Sequence, residues 1–96
     1  MIVRKGVEVG EVITFKLSSG EELMARLEDV NETQYVLAKP RVVGMSAQGP
    51  ALMPFLFTAD PDRTISINKA TVLVAVPSDK EFATQYLTST TGIKLV

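Results

Sequence analysis

The 96-residue chain contains no cysteine and no histidine. The first absence excludes a disulfide framework and thiolate metal sites. The second removes the most common general base, transition-metal ligand and pH switch. Nucleophilic systems of the Ser-His-Asp or Cys-His kind are therefore excluded. An enzyme would depend on carboxylates, lysine or tyrosine alone, so we expect a protein that is not an enzyme and has no metal site and no cofactor.

The chain also lacks an excess of charge of one sign and a long apolar run. Ten basic and eleven acidic residues give a formal charge of −1, whereas domains that depend on phosphate neutralisation usually carry a clear basic excess. Any nucleic-acid site must therefore be a local patch. The apolar runs are far shorter than the ~20 residues that span a bilayer, and the N-terminal residues contain no secretory h-region. We expect a cytoplasmic protein that makes no membrane contact.

What is present is an ordinary globular composition. Apolar residues are 46% of the chain and charged residues 22%, which is sufficient for one packed domain over residues 1–96. A domain of this size buries only a modest fraction of its surface. Oligomerisation is a common way for small β-rich domains to complete that burial.

Apolar and polar residues alternate with a period of two through residues 12–17 and again through residues 21–30. This period predicts two half-buried strands, and Gly20 between them predicts a tight turn. Residues 21–30 are also good helix formers, so a helix is the alternative, but the unbroken alternation favours a strand. The residues predicted to face the core are Ile13, Phe15, Leu17, Leu23, Ala25 and Leu27.

Three further strands are predicted after a polar turn. Residues 35–43 form the third strand, in which Pro40 marks an edge or a bulge because proline cannot donate to a ladder. Residues 44–50 contain two glycines and a proline and predict a loop. Apolar segments at 51–57 and 71–76 predict the fourth and fifth strands, and residues 64–67 between them are also extended.

Five short strands within fewer than ~80 residues usually close into a barrel. The prediction is therefore a mainly β fold, a small and strongly bent five-stranded antiparallel barrel over about residues 11–76. A C-terminal α-helix follows at about residues 78–90, where Ser78 and Glu81 have capping-box spacing. Phe82 and Tyr86 give this helix an apolar stripe, Gly92 ends it, and residues 93–96 predict a short terminal strand.

The pattern of strand lengths and turns over residues 12–76 carries a family resemblance. Leu17-Ser18-Ser19-Gly20 matches the Leu-x-x-Gly of the Sm/LSm proteins, the ring-forming RNA-binding small barrels, and Ala25-Arg26-Leu27 stands where that family has Gly-x-Leu. Ile67-Asn68-Lys69 stands in place of the family's Ile-Arg-Gly. Residues 54–76 are also similar to uncharacterised Sm-like proteins of marine phages. The helix departs from the family pattern because it follows the last strand and does not precede the first.

The resemblance implies a binding site for single-stranded RNA or DNA on one rim of the barrel. Asn31 stands where the family usually has aspartate, and Tyr35 stands where it has a base-binding asparagine. Amides and lysine can pair with base edges and phosphates, and a tyrosine can stack on a base. The alternative is that these are ordinary turn and strand residues. The predicted nucleic-acid-binding residues are Asn31, Tyr35, Lys39, Arg41, Asn68 and Lys69.

The segments 51–57 and 71–76 are apolar on both faces, although a strand in a one-layer antiparallel sheet should alternate. The resemblance implies that the fourth strand pairs with the fifth strand of the next subunit, which predicts a homo-oligomeric ring of five to eight subunits. A purely intramolecular core is the alternative. The predicted interface residues are Leu52, Phe55, Phe57, Val72, Leu73 and Val74.

The function that the sequence favours is therefore a non-enzymatic Sm-like ring protein that binds single-stranded RNA or DNA in nucleic-acid processing. A structural or protein-interaction module on the same ring, without nucleic-acid binding, is the alternative. The near-neutral charge favours this alternative, and the family resemblance favours nucleic-acid binding.

Overall fold

Six antiparallel strands and one C-terminal helix make up the computed structural model, which describes residues 7–91. The strands are β1 Val12–Leu17, β2 Glu22–Val30, β3 Gln34–Ser46, β4 Gly49–Pro54, β5 Ile65–Asn68 and β6 Val72–Pro77. A 3-10 helix, Lys69–Thr71, joins β5 to β6, and the α-helix α1 spans Lys80–Thr91.

The strands form one sheet in the order β4-β3-β2-β1-β6, and β5 pairs with β3 outside that path. The predicted mainly β fold with a C-terminal helix is confirmed. The predicted number of five strands is wrong, because the segment predicted only as extended at residues 64–67 forms a strand of its own, β5, which pairs with β3. Within residues 7–91 the sheet is open, since no strand pairing joins its two ends.

The β1–β2 hairpin confirms the strand prediction for residues 21–30 over the helical alternative. Val12 faces Arg26 and Lys16 faces Glu22 across the pair. Gly20 has φ +105° in the turn, a backbone conformation that a residue with a Cβ adopts only at a cost. The inward side chains of both strands are buried. The alternation of apolar and polar residues therefore predicted correctly which face of each strand points to the core.

The third strand bends at Lys39 and Pro40. Lys39 has φ +50°, and the β2–β3 register shifts between Met24 and Arg26. The first part of β3 pairs with β5 from Gln34 to Leu37, whereas the part after the bend pairs with β4. Pro40 therefore lies at a bulge, one of the two positions predicted for it.

Residues 44–50 are not the predicted loop. The third strand continues to Ser46, and β4 returns from Gly49, so that Ser46 and Gly49 face each other across a tight turn. The Ser46 hydroxyl donates to the Gly49 carbonyl at 2.8 Å, and Gly49 has φ +104°. The fourth strand consequently ends at Pro54 and does not reach residue 57. The glycines that suggested a loop instead allow a hairpin.

The core lies between the two halves of the bent sheet. Its fully buried members are the predicted inward residues together with Leu37. The seven apolar side chains of this cluster stabilise the domain through burial of apolar surface. The core cluster consists of Ile13, Phe15, Leu17, Leu23, Ala25, Leu27 and Leu37.

The helix begins two residues later than predicted, and Ser78 does not cap it. The Asp79 carboxylate accepts a hydrogen bond from the Glu81 amide at 3.2 Å, while the Ser78 hydroxyl pairs with that of Thr14 at 2.7 Å. An aspartate satisfies the first amides of a helix as well as a serine does. Tyr86 of the predicted stripe is buried and Phe82 is 41% exposed. Gly92 and the strand predicted at 93–96 lie outside the described residues.

Candidate nucleic-acid interface

The turn between β2 and β3 is built around the side chain of Asn31. Its Oδ1 atom accepts from the Thr33 amide at 3.0 Å and from the Gln34 amide at 2.9 Å. An asparagine side chain that mimics the backbone in this way stabilises a turn. The Asn31 oxygen is therefore committed to the turn, and its amide nitrogen is the group that remains for a ligand.

The connection between β5 and β6 is built in the same way around Asn68. Its Oδ1 atom accepts from the Ala70 amide at 2.8 Å and caps the 3-10 helix. The Lys69 amide donates to the Thr33 carbonyl at 2.8 Å, and Gln34 faces Asn68 in the β3–β5 pair. The two turns that the sequence placed on one rim are thus joined by backbone hydrogen bonds.

Tyr35 and Lys69 form a pair between these turns. The Lys69 Nζ atom lies 5.4 Å from the centre of the Tyr35 ring, within the range of a cation–π contact. The Tyr35 ring also packs against Phe15, with ring centres 5.2 Å apart and an angle of 60° between the planes. Tyr35 is half-buried and packs against the core cluster, so its ring lies between the core and the Lys69 ammonium group. We call Asn31, Tyr35, Asn68 and Lys69 the Tyr35 rim.

Lys39 and Arg41 do not join the Tyr35 rim. The Lys39 Nζ atom donates to the Thr90 carbonyl at 3.0 Å, near the C-terminal end of α1, where a cation is favoured by the helix dipole. Arg41 donates to the Pro61 carbonyl, and its Nη2 atom lies 2.8 Å from the Asp62 carboxylate. This hydrogen bond holds the pKa of Asp62 below its usual value. Both cations already have structural partners.

The six predicted interface residues differ in their burial. Phe55 and Val72 are half-buried and pack against the core cluster, as the intramolecular alternative expects. Phe57, Leu73 and Val74 are exposed, by 88%, 67% and 49%. Leu52 is half-buried on β4. β4 and β6 are the two ends of the strand order, so the predicted partners are both edge strands within the described part of the chain.

A pocket of about 360 Å³ opens between the β3–β4 hairpin, β6 and the first half of α1. The sequence prediction missed it because residues 44–50 were read as a loop. The signal was the glycine at position 49, which lies between two apolar segments and can adopt the positive φ that a tight hairpin turn requires. We call this cavity the hairpin pocket. Its main apolar walls are Met24, Val43, Met45, Leu52, Val76 and Phe82.

Residues 7–91 contain no group of three or more acidic side chains close enough together to hold a metal ion. No helix in this part of the chain is long and apolar enough to cross a membrane. No protein-family model matches the chain, and a search of the curated proteins gives no significant match.

Proposed function

We propose that this protein is a non-enzymatic, homo-oligomeric β protein of the Sm-like kind that binds single-stranded RNA or DNA through the Tyr35 rim. The observation that carries the proposal is the Tyr35–Lys69 pair, flanked by the amide groups of Asn31 and Asn68. An aromatic ring for a base, an ammonium group for a phosphate and amide donors for base edges are what single-strand recognition uses.

The Sm-like part of the proposal is supported by the way in which β5 and β6 are connected. β5 pairs with β3, and β6 pairs with β1 on the other side of β2. A single 3-10 turn therefore joins strands from both sides of a sheet that must be strongly bent to allow it. A nearly closed small barrel is the arrangement in which such a short connection fits.

A homo-oligomer is supported by the free edges of the sheet. Within residues 7–91, β6 pairs only with β1 and β4 pairs only with β3. An exposed edge carries unpaired amides and carbonyls, and it favours pairing with another chain. Pairing of β4 of one copy with β6 of the next uses two different surfaces, and such a contact forms a ring when its rotation closes.

Oligomerisation also increases the number of cations that can contact one nucleic-acid strand. The rim supplies one lysine per subunit, because Lys39 and Arg41 are held by structural contacts. A ring repeats Lys69 around its axis, so weak contacts act together at high effective concentration. For five to eight subunits with one phosphate contact each, we expect log K to fall with log salt concentration with a slope of about −3.5 to −5.6.

Fluorescence anisotropy with short labelled U-rich and A-rich RNA oligomers tests this proposal. Tyr35→Leu keeps an apolar side chain against Phe15 but removes the aromatic ring, and we expect it to cost about 1–3 kcal/mol per stacked base. Lys69→Ala should weaken binding to all sequences alike and reduce the salt dependence. Lys80→Ala is the matched control, since this exposed lysine begins α1 at the other end of β6.

Intact rings that give no anisotropy change at low salt would contradict nucleic-acid binding. They would favour the second candidate, a protein-interaction module without nucleic-acid binding. That candidate is supported by the exposed apolar side chains of β6, where Leu73, Val74 and Val76 are all at least 45% exposed. Exposed apolar side chains along an edge strand are typical of protein interaction sites.

A further inference from the structure

The hairpin pocket is an apolar recess that no described side chain fills. Its volume of about 360 Å³ is more than twice the roughly 150 Å³ of an apolar cavity that holds benzene. Two methionines, Met24 and Met45, are among its walls, and flexible methionine side chains adapt to an inserted group. The recess therefore has room for an aromatic side chain and for part of a neighbouring residue.

The same chain presents an aromatic side chain that has no pocket of its own. Phe57 is 88% exposed, more than any other large apolar residue among residues 7–91, and its neighbour Leu56 is 44% exposed. Phe57 is not among the residues that line the hairpin pocket of its own chain. A single exposed leucine is ordinary, but an exposed Leu-Phe pair beside an edge strand is typical of a contact site.

The charges around the two features are complementary. The hairpin pocket carries the carboxylates of Glu22 and Asp79 and has no lysine or arginine among its lining residues. Arg63 lies with Phe57 in the connection between β4 and β5. It is exposed and forms no ion pair with any described residue. Of the two carboxylates on that connection, the one of Asp62 is already paired with Arg41.

We propose that Leu56 and Phe57 of one copy insert into the hairpin pocket of a second copy, with Arg63 directed toward the acidic side of that pocket. This inference rests on the homo-oligomer of the proposed function and names the contact that holds it. Each copy offers one Phe57 and one hairpin pocket, so the contact is heterologous and propagates from copy to copy.

The proposed strand pairing brings these features toward each other. Phe57 comes three residues after the end of β4, which corresponds to a reach of roughly 10 Å. β6 contributes Val76 and Pro77 to the walls of the hairpin pocket. When β4 of one copy lies parallel to β6 of the next, the C-terminal end of β4 lies beside Val76 and Pro77, and Phe57 is carried to the end of the strand that lines the neighbour's pocket. A buried phenylalanine contributes about 150–250 Å² of contact area, enough for an interface anchor.

Two variants disable the two halves of the contact separately. Phe57→Asp alters the inserted side chain, and Met45→Asp places a charge at the mouth of the pocket. Both side chains are largely exposed, by 88% and 79%, so neither change should disturb the core. Val9→Asp is the control, because Val9 is a 57% exposed apolar residue outside both surfaces. Phe57→Ala is a second variant that introduces no charge.

Sedimentation velocity over a range of concentrations measures self-association, and circular dichroism checks the fold of each variant. We expect Phe57→Asp and Met45→Asp each to raise the Kd for self-association roughly thirtyfold or more, as loss of an interface anchor does. Val9→Asp should leave the Kd unchanged. Equal amounts of the two variants, mixed where each alone is monomeric, should form a heterodimer, because one intact Phe57 meets one intact pocket.

A mixture that remains monomeric would overturn the inference, since the intact halves would then fail to recognise each other. Assemblies that survive Phe57→Asp and Met45→Asp but dissociate with Leu73→Asp would also overturn it, while leaving the oligomer of the proposed function in place. Wild-type protein that is monomeric up to about 100 µM would overturn both the inference and the oligomer.

Discussion

The hydroxyl group of Tyr86 lies within hydrogen-bond distance of three backbone groups at the bulge of β3. It accepts from the Arg26 amide at 3.1 Å, and it lies 2.9 Å and 2.8 Å from the carbonyl oxygens of Ala38 and Lys39. The register shift opposite Lys39 leaves these groups without the ladder partners that a regular strand would supply. Because Tyr86 is only 1% exposed, water has little access to the groups that its hydroxyl satisfies.

Tyr86→Phe should therefore destabilise the protein by about 2–4 kcal/mol. The single hydroxyl proton is shared between two carbonyl oxygens, so the change removes one donated hydrogen bond worth about 1 kcal/mol, and it leaves the Arg26 amide without an acceptor, which costs about 1–3 kcal/mol. This loss is a large share of the roughly 5–15 kcal/mol by which a domain is stable. Urea unfolding followed by far-UV circular dichroism measures it, and the m-value should be unchanged because the exposed surface is similar.

Tyr35→Phe is the matched control, since it deletes the same atom from the other tyrosine of the chain, which lies in β3. The Tyr35 hydroxyl has no hydrogen bond within residues 7–91, so we expect a change of less than about 0.5 kcal/mol. A stability of Tyr86→Phe within the same margin of wild type would refute the reasoning. It would mean that the bulge rearranges or admits water at little cost.

Three other predictions concern pH and the backbone. Burial raises the pKa of Tyr86, so the free energy of unfolding should fall as pH rises above about 10, and the fall should be smaller in Tyr86→Phe in urea titrations. The hydrogen bond from Arg41 lowers the pKa of Asp62, so stability should decrease as pH falls below about 4; equal acid sensitivity of Asp62→Asn would contradict this. Gly20→Ala, at φ +105°, should cost about 1–2 kcal/mol in thermal or urea unfolding, whereas an unchanged midpoint would show that the turn relaxes. 

The parts of the fold that the sequence predicted correctly depend on local periodicity. Leu23, Ala25 and Leu27 were assigned to one face of a strand, and all three are fully buried. The helix was placed to within two residues, but its cap was assigned to Ser78 in place of Asp79. Both residues are good caps. The choice between them depends on Thr14, a distant residue in sequence that pairs with the Ser78 hydroxyl.

The candidate site was predictable to the extent that it consists of turn residues beside paired strands. The turns that hold Asn31 and Asn68 are adjacent because Gln34 faces Asn68 in the β3–β5 pair, as the resemblance to Sm-like barrels implied. The sequence predicts Lys39 and Arg41 as part of a local basic patch beside the two turns. Their actual partners, Thr90 and Asp62, lie 51 and 21 residues away in sequence, and no local pattern predicts such contacts.

Alternation along a strand reports which side of that strand is apolar, because successive side chains point to opposite faces. The class of fold, the first hairpin and the absence of histidine and thiol chemistry follow from that alternation and from composition alone. Alternation does not show which other strand will form hydrogen bonds with a given strand edge. The bend at Lys39 sends the first part of β3 to β5 and the second part to β4. That division created the hairpin pocket and left Phe57 exposed, because pairing over long separations is set by packing of the whole chain.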